Sequence, residues 1–276
     1  MNSVKPKLII GMPIYNGEKF IKLRLESLLS QKFIDFKLII SDNASTDKTE
    51  QICREFLMKD DRIQYFRQKK NIGSRKNFIF VLENADSDYF AWIAVDDITM
   101  PEFFDETINT LNSNDKLVGC ITKSFRYGPN NDQILKQIPL HALKGSYNKK
   151  IRNYLKNPQS DMLYSVFRTK KLQKSIINDP ISAWDSATIL SVLRYGDIEV
   201  LDKSLIQFFN AGISSKSVKT RLQMEPDLNK IRFPQSFFVF WCYKHFGLKF
   251  FIKNLDIFMK LFLDILKIMV KVILKK

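Results

Sequence analysis

Three cysteines, two histidines, and nine residues each of glycine and proline in a chain of 276 exclude several classes at once. Cys53, Cys120 and Cys242 are scattered, odd in number and without a CxxC pair. A disulfide framework or a zinc module is therefore not expected, and a reducing compartment is. The scarcity of glycine and proline excludes fibrous and low-complexity classes. With only His141 and His245 present, acid–base chemistry falls to carboxylates by supply. No charged leader precedes a long apolar run, because Pro13 interrupts Leu8–Met12, so no signal peptide is expected. There is no internal repeat. What is present is 45% hydrophobic and 26% charged, a globular composition with length for one large domain or two small ones.

Acidic residues are also in deficit. The net charge is +15, and the 61 residues from Lys216 carry 13 Lys and Arg against 4 Asp and Glu. From Lys249 the charges fall at Lys253, Asp256, Lys260, Asp264, Lys267, Lys271 and Lys275, spaced by three or four residues. That spacing predicts one helix with all charges on a narrow stripe and a wide apolar remainder. Interspersed charges argue against a simple membrane span. The pattern suits an amphipathic helix in the interface of an anionic membrane; packing on the body or on a second subunit is the alternative.

The first 122 residues predict strand–helix alternation. Strands are expected at Lys7–Met12, Phe36–Ser41, Arg62–Phe66, Tyr89–Val95 and Leu117–Thr122. Helices are expected over Glu18–Gln31, from an Asp47–Glu50 capping box to Met58, over Gly73–Asn84, and from near Pro101 to Asn112. This is an α/β layer with a mostly parallel sheet, in which ligands bind beyond the carboxyl ends of the strands. The region 123–215 is less regular, with a turn at Tyr127–Gln133, a strand at Met162–Arg168, a helix at Asp185–Tyr195 and a strand at Glu199–Asp202. Phe237–Tyr243 reads as a buried helix segment or a contact for lipid or a polyprenyl chain.

Three polar clusters follow three successive strands: Pro13–Glu18, Asp42–Asp47 and Asp96–Met100. Adjacent carboxylates at Asp96 and Asp97 call for a cation or donor, and a hard divalent ion shared with substrate phosphates is one answer. A cap on the following helix is the other. Tyr15, Asn16 and Glu18 have the chemistry to read a nucleobase, or are ordinary turn residues. Arg75 and Lys76 suit phosphate or a solvated helix face.

The order of these pieces resembles family 2 glycosyltransferases of GT-A fold. The matching stretches are Leu8–Thr49, Asn71–Asn77 and Tyr89–Asp97 followed by Pro101, with a weaker match reaching about residue 214. The resemblance implies a Rossmann-like sheet flanked by helices and an inverting transfer from a nucleotide-sugar, UDP-linked by preference. It places Pro13, Tyr15, Asn16, Glu18 and Asp42 at the nucleotide and Asn71 and Arg75 near the diphosphate. Asp96 and Asp97 stand for the family's DxD motif, which binds Mg²⁺ or Mn²⁺. Asp97 is then the metal ligand and Asp96 a ribose contact, although an Asp-x-Asp triplet ending at Asp97 would begin at Val95. Asp185 resembles the catalytic base, with Asp179 and Asp161 as substitutes; a helix cap is the alternative.

The expected organisation is a GT-A domain over 1–215, with a nucleotide-binding half to 122 and an acceptor half after it, and a basic amphipathic tail over 216–276. The expected acceptor is a glycan or polyprenyl-linked sugar in cell-surface polysaccharide or glycoconjugate synthesis. The expected location is cytoplasmic, peripheral on the inner face of the membrane. A sugar-nucleotide pyrophosphorylase is disfavoured because the first loop is GMPIYNG and not glycine-rich of GxGxR type. A nucleic-acid binder is disfavoured because the tail lysines interleave with aliphatic residues. A non-catalytic membrane scaffold is a further alternative.

Overall fold

The computed structural model describes residues 5–127, 134–179, 181, 183–209 and 234–263. Its first half follows the expected alternation: β1 (Leu8–Ile14), α1 (Ile21–Leu29), β2 (Phe36–Asp42), α2 (Thr49–Leu57), β3 (Ile63–Arg67), α3 (Ser74–Glu83) and β4 (Tyr89–Trp92). The apolar runs of β1, β2 and β4 are buried along their length, as parallel strands covered on both faces must be. β2 and β4 flank β1, β3 lies outside β2, and all three pairings are parallel. A Cβ on Gly11 would meet the Phe90 ring at 2.6 Å and Val81 at 2.7 Å. Glycine there lets α3 lie close against β1.

The second half contains β5 (Ile98–Thr99), α4 (Phe103–Ser113), β6 (Leu117–Tyr127), β7 (Ile134–Ile138), α5 (Tyr147–Lys156), a 3-10 helix (Ser160–Tyr164), β8 (Val166–Arg168), α6 (Thr169–Gln173), α7 (Trp184–Val192) and β9 (Asp197–Phe209). The strand order is β3-β2-β1-β4-β8-β6-β9-β5, with β7 against β6. β8 joins the halves by pairing antiparallel with both β4 and β6. β9 runs parallel to β6, but Thr122 and Lys123 face Leu201 and Ser204, so Asp202 and Lys203 bulge out of the ladder. Three expectations change here. The strand predicted over Met162–Arg168 is divided, Met162–Tyr164 lying in the 3-10 helix and Val166–Arg168 forming β8. The strand predicted over Glu199–Asp202 extends to thirteen residues. None of β5, β7, α5 and α6 was expected.

The C-terminal helix Pro234–Lys253 is kinked at Gly247, whose φ is 79°. Asn254 interrupts the helix again, its Nδ2 donating to Phe250 O at 2.7 Å, and helical turns resume over 255–263. The expected single unbroken helix from Lys249 is therefore corrected. Phe238, Trp241, Cys242, Phe250, Ile257 and Phe258 are buried, and Arg152 on α5 holds Asp256 at 2.9 Å and Asn254 Oδ1 at 2.6 Å. One face of this segment thus packs on the body. Asp264, Lys267, Lys271 and Lys275, and residues 128–133 of the expected turn, lie outside the described residues.

Candidate active site

The loops after β1 and β2 lock into each other. Among the described residues, Asn16 and Ala44 are the two non-glycine residues with positive φ, at 52° and 62°, a strained conformation concentrated at functional turns. Asn16 Oδ1 accepts the Thr46 N–H at 2.8 Å, and the Asn16 N–H donates to Ser45 Oγ at 2.9 Å. Asp47 accepts the Glu18 N–H at 3.1 Å, and Glu18 accepts the Lys48 N–H at 3.0 Å. The capping box expected at Asp47–Glu50 is therefore corrected. Asp47 does accept the Thr49 N–H at 3.0 Å, but Glu50 turns to Arg54 and Arg67 and Glu18 takes its place.

Asp42, at the end of β2, has no exposed surface. Its Oδ1 accepts the Ser45 N–H at 2.8 Å, and its Oδ2 accepts the Tyr65 hydroxyl at 2.6 Å and Arg67 Nη1 at 2.8 Å. Arg67 also donates to Ser45 O at 2.9 Å. Asn71 Oδ1 accepts from Asn43 Nδ2 and from the Gly73 N–H, while Asn43 Oδ1 accepts the Ile72 N–H. The structure thus joins Asn16, Glu18, Asp42 and Asn71 in one cradle of mutually satisfied loops. Pro13 is buried within β1 and Tyr15 is half-buried beside the cradle. Arg75, expected at phosphate or on a solvated face, is buried instead and donates to Asn178 O at 3.1 Å. Tyr65 and Arg67 were missed; their signal was the polar ending of β3.

The turn after β4 has a different character. Asp97 is buried and its Oδ1 accepts the Phe209 N–H of β9 at 3.1 Å. It caps no helix, because the cap position of α4 is Glu102. Burial pushes its carboxyl well above the usual range, and the Asp96 charge adds to this. Asp96 is raised by burial too. Among the described residues neither carboxylate forms an ion pair.

Beneath the turn lies Arg24 of α1, almost fully buried, with Nε and Nη2 unpartnered and Nη1 3.5 Å from Thr99 Oγ1. Burial lowers its guanidinium to about 10 against the pull of Asp97 and Asp96. Its signal was present in the sequence, since it shares the apolar face of α1 with Ile21, Leu25 and Leu28.

An aromatic cluster brings α7 to the same place. Trp92 Nε1 donates to Phe78 O at 2.9 Å, and Trp184 lies 5.3 Å from Phe78 and 6.4 Å from Trp92 between ring centres. Asp185 follows in the first turn of α7. The cap position is Ala183, without a side-chain cap, so the cap reading of Asp185 is set aside. Asp185 accepts the Ser186 N–H at 2.7 Å, and burial raises its carboxyl. Asp161 joins through Arg126, 3.1 Å away, and raises both Asp97 and Asp185. Burial raises the Tyr164 hydroxyl, and Asp97, Asp96, Asp161 and Asp185 raise it further. All four carboxylates therefore lie within electrostatic reach of one ring. Asp179 is exposed and is absent from this group.

Residues 9–173 match the family described as Glycosyl transferase family 2. The chain belongs to that family. An uncharacterized glycosyltransferase of Rickettsia typhi is 32% identical over 43% of this chain and 37% of its own length. One of Methanocaldococcus jannaschii is 30% identical over 40% and 39%. The chain thus spans well under two thirds of these relatives. Among solved structures, S. aureus TarS 1–349 in complex with UDP-GlcNAc superposes with a TM-score of 0.62 at 22% identity, covering 79% of this chain and 64% of that one. The mannosyltransferase PcManGT of Pyrobaculum calidifontis, in complex with GDP-Man and Mn²⁺, gives 0.54 at 14%, covering 74% and 57%. These likenesses carry the GT-A fold.

Family 2 membership implies a divalent cation, and the acidic turn fits one. Its donors are hard oxygens with raised proton affinity and few hydrogen-bond donors. Among the described residues no group of three His, Cys, Asp or Glu side chains could hold a metal. One or two carboxylates completed by diphosphate oxygens are the usual arrangement for Mg²⁺.

Proposed function

We propose that the protein transfers a sugar from a nucleoside-diphosphate sugar, UDP-linked by preference, to an acceptor hydroxyl with inversion at the anomeric carbon. The observation that supports this is the convergence of Asp96, Asp97, Asp161 and Asp185 beside a cradle of satisfied loops. The cradle, from Pro13, Tyr15, Asn16 and Glu18 to Asp42 and Asn71, receives the nucleotide on a surface already rigid. Asp96 contacts the ribose. Asp97 would hold Mn²⁺ or Mg²⁺, which when bound neutralises charge on the departing diphosphate. The acceptor oxygen bonds to the anomeric carbon, the bond from that carbon to the diphosphate oxygen breaks with its electron pair, and Asp185 takes the hydroxyl proton. Arg75 binds the segment before α7 to α3 and so positions Asp185.

The reading keeps 1–215 as the transferase domain and 216–276 as a tail. The acceptor is a glycan or a polyprenyl-linked sugar of cell-surface synthesis, reached at the cytoplasmic face of the membrane. The test is a panel of nucleotide-sugars, with and without Mn²⁺, scored for slow donor hydrolysis. Metal-dependent turnover of a UDP-sugar is expected. Turnover of none, with no nucleotide-sugar binding by calorimetry, would overturn the reading.

A further inference from the structure

The C-terminal segment has two working faces. Phe250, Ile257 and Phe258 are buried against the body, and the Arg152–Asp256 pair pins the segment to α5. Turned away from them, Leu248, Ile252, Leu255, Met259 and Phe262 are 57%, 62%, 48%, 51% and 49% exposed. Leu248 and Ile252 are four residues apart in the stretch before the break at Asn254, and Leu255, Met259 and Phe262 are four and three apart in the stretch after it, so each stretch carries its exposed apolar residues on one side. Exposed apolar side chains scattered singly are ordinary, but a ridge of five in two successive helical stretches is not.

The charge beside the ridge has one sign. Lys249, Lys253 and Lys260 each follow a ridge residue directly and are exposed, and among the described residues none of them is in an ion pair. The acid on this row, Asp256, is already held by Arg152. We infer that this ridge and its lysine row dock the protein on an anionic lipid bilayer, with the large side chains sunk among the acyl chains and the ammonium groups at the headgroups. A second copy is a poorer occupant, because a two-fold pairing along the ridge brings the lysine rows together. No helix among the described residues is long and apolar enough to cross a bilayer.

The inference rests on the membrane-side reading above for its purpose, and its readouts stay separate. Full-length protein is sedimented with vesicles of equal parts phosphatidylglycerol and phosphatidylcholine, and with phosphatidylcholine alone. Binding to the anionic vesicles is expected, weakening with salt. Ile252→Glu with Met259→Glu should abolish it. Lys249→Glu, Lys253→Glu and Lys260→Glu together should weaken it by at least about tenfold. All variants should keep the melting temperature and vesicle-free donor hydrolysis. Equal binding to both vesicle types would overturn the inference, as would variants that bind like the parent or lose their thermal transition. It would also fall if the parent bound no vesicles and sedimented as a dimer that Ile252→Glu dissociates. Loss of donor hydrolysis with vesicle binding intact would count against the transferase reading alone.

Discussion

The loops after β1 and β2 and the turn after β4 all carry acidic side chains, yet their hydrogen bonding is opposite in kind. In the loops, Asp42 takes three donors, and Asn16, Glu18 and Asp47 each accept a neighbouring loop's N–H. At the turn, Asp97 takes one N–H, and among the described residues no cation pairs with it or with Asp96. A satisfied polar network rigidifies, whereas an unsatisfied buried charge is destabilised until a ligand arrives. The first region is therefore built as a mould and the second as a vacancy of charge. Residue type alone does not separate the two; partners do.

The largest effect that could break this contrast comes from Asp97→Asn. It should lower Mn²⁺-dependent donor turnover by about a thousandfold while leaving the melting temperature unchanged or higher, because it relieves a buried charge. A fall in both would make Asp97 part of the scaffold.

Asp185→Asn should lower glycosyl transfer by about a hundredfold and spare donor affinity. Burial raises this carboxyl in the folded state, so the folded protein holds its proton to higher pH than the unfolded chain. Its contribution to stability therefore falls as pH rises from the ordinary aspartate range through the raised value. Transfer needs the ionised form and should climb over the same interval. Pairing pH–rate profiles with pH-dependent melting of the parent and Asp185→Asn checks both directions.

On the mould side, Asp42→Ala should cost about 3 kcal/mol of stability by stranding the Tyr65 hydroxyl and the Ser45 N–H. Denaturant unfolding measures it, and a loss below about 1 kcal/mol would show that water replaces the carboxylate and that the cradle is not rigid.

Much of this was legible before any coordinates. β1, β2 and β4 announce themselves as apolar runs because both their faces are covered, and Asp96–Asp97 at a strand end is a local signal. Asp185 was legible only through family resemblance, since an aspartate in a first helical turn has an ordinary explanation. What escaped depends on distance along the chain. β5 is two residues long and is held by β9, whose partner residues Ile206 and Gln207 lie over a hundred positions away. The strand predicted over Met162–Arg168 holds only at Val166–Arg168, because Met162 and Leu163 are buried from a 3-10 helix, where the apolar run looks the same. Tyr65 and Arg67 matter through what they touch. The tail misled by regularity, because Asn254 sits inside the periodic pattern and breaks the helix that the pattern implies.

The bulge at Asp202–Lys203 bears on how this chain can change length over generations. β9 begins at Asp197, far from the site, and ends at Phe209, whose N–H holds Asp97. Dropping or adding a single codon on either side of the bulge would rotate every later residue of the strand by half a pleat and turn that N–H away from the carboxylate. The looped-out pair is slack already present in the ladder, and the place where such an event can be absorbed. Insertions that reshape the acceptor side can enter at Asp202 and leave the phase of Phe209 unchanged.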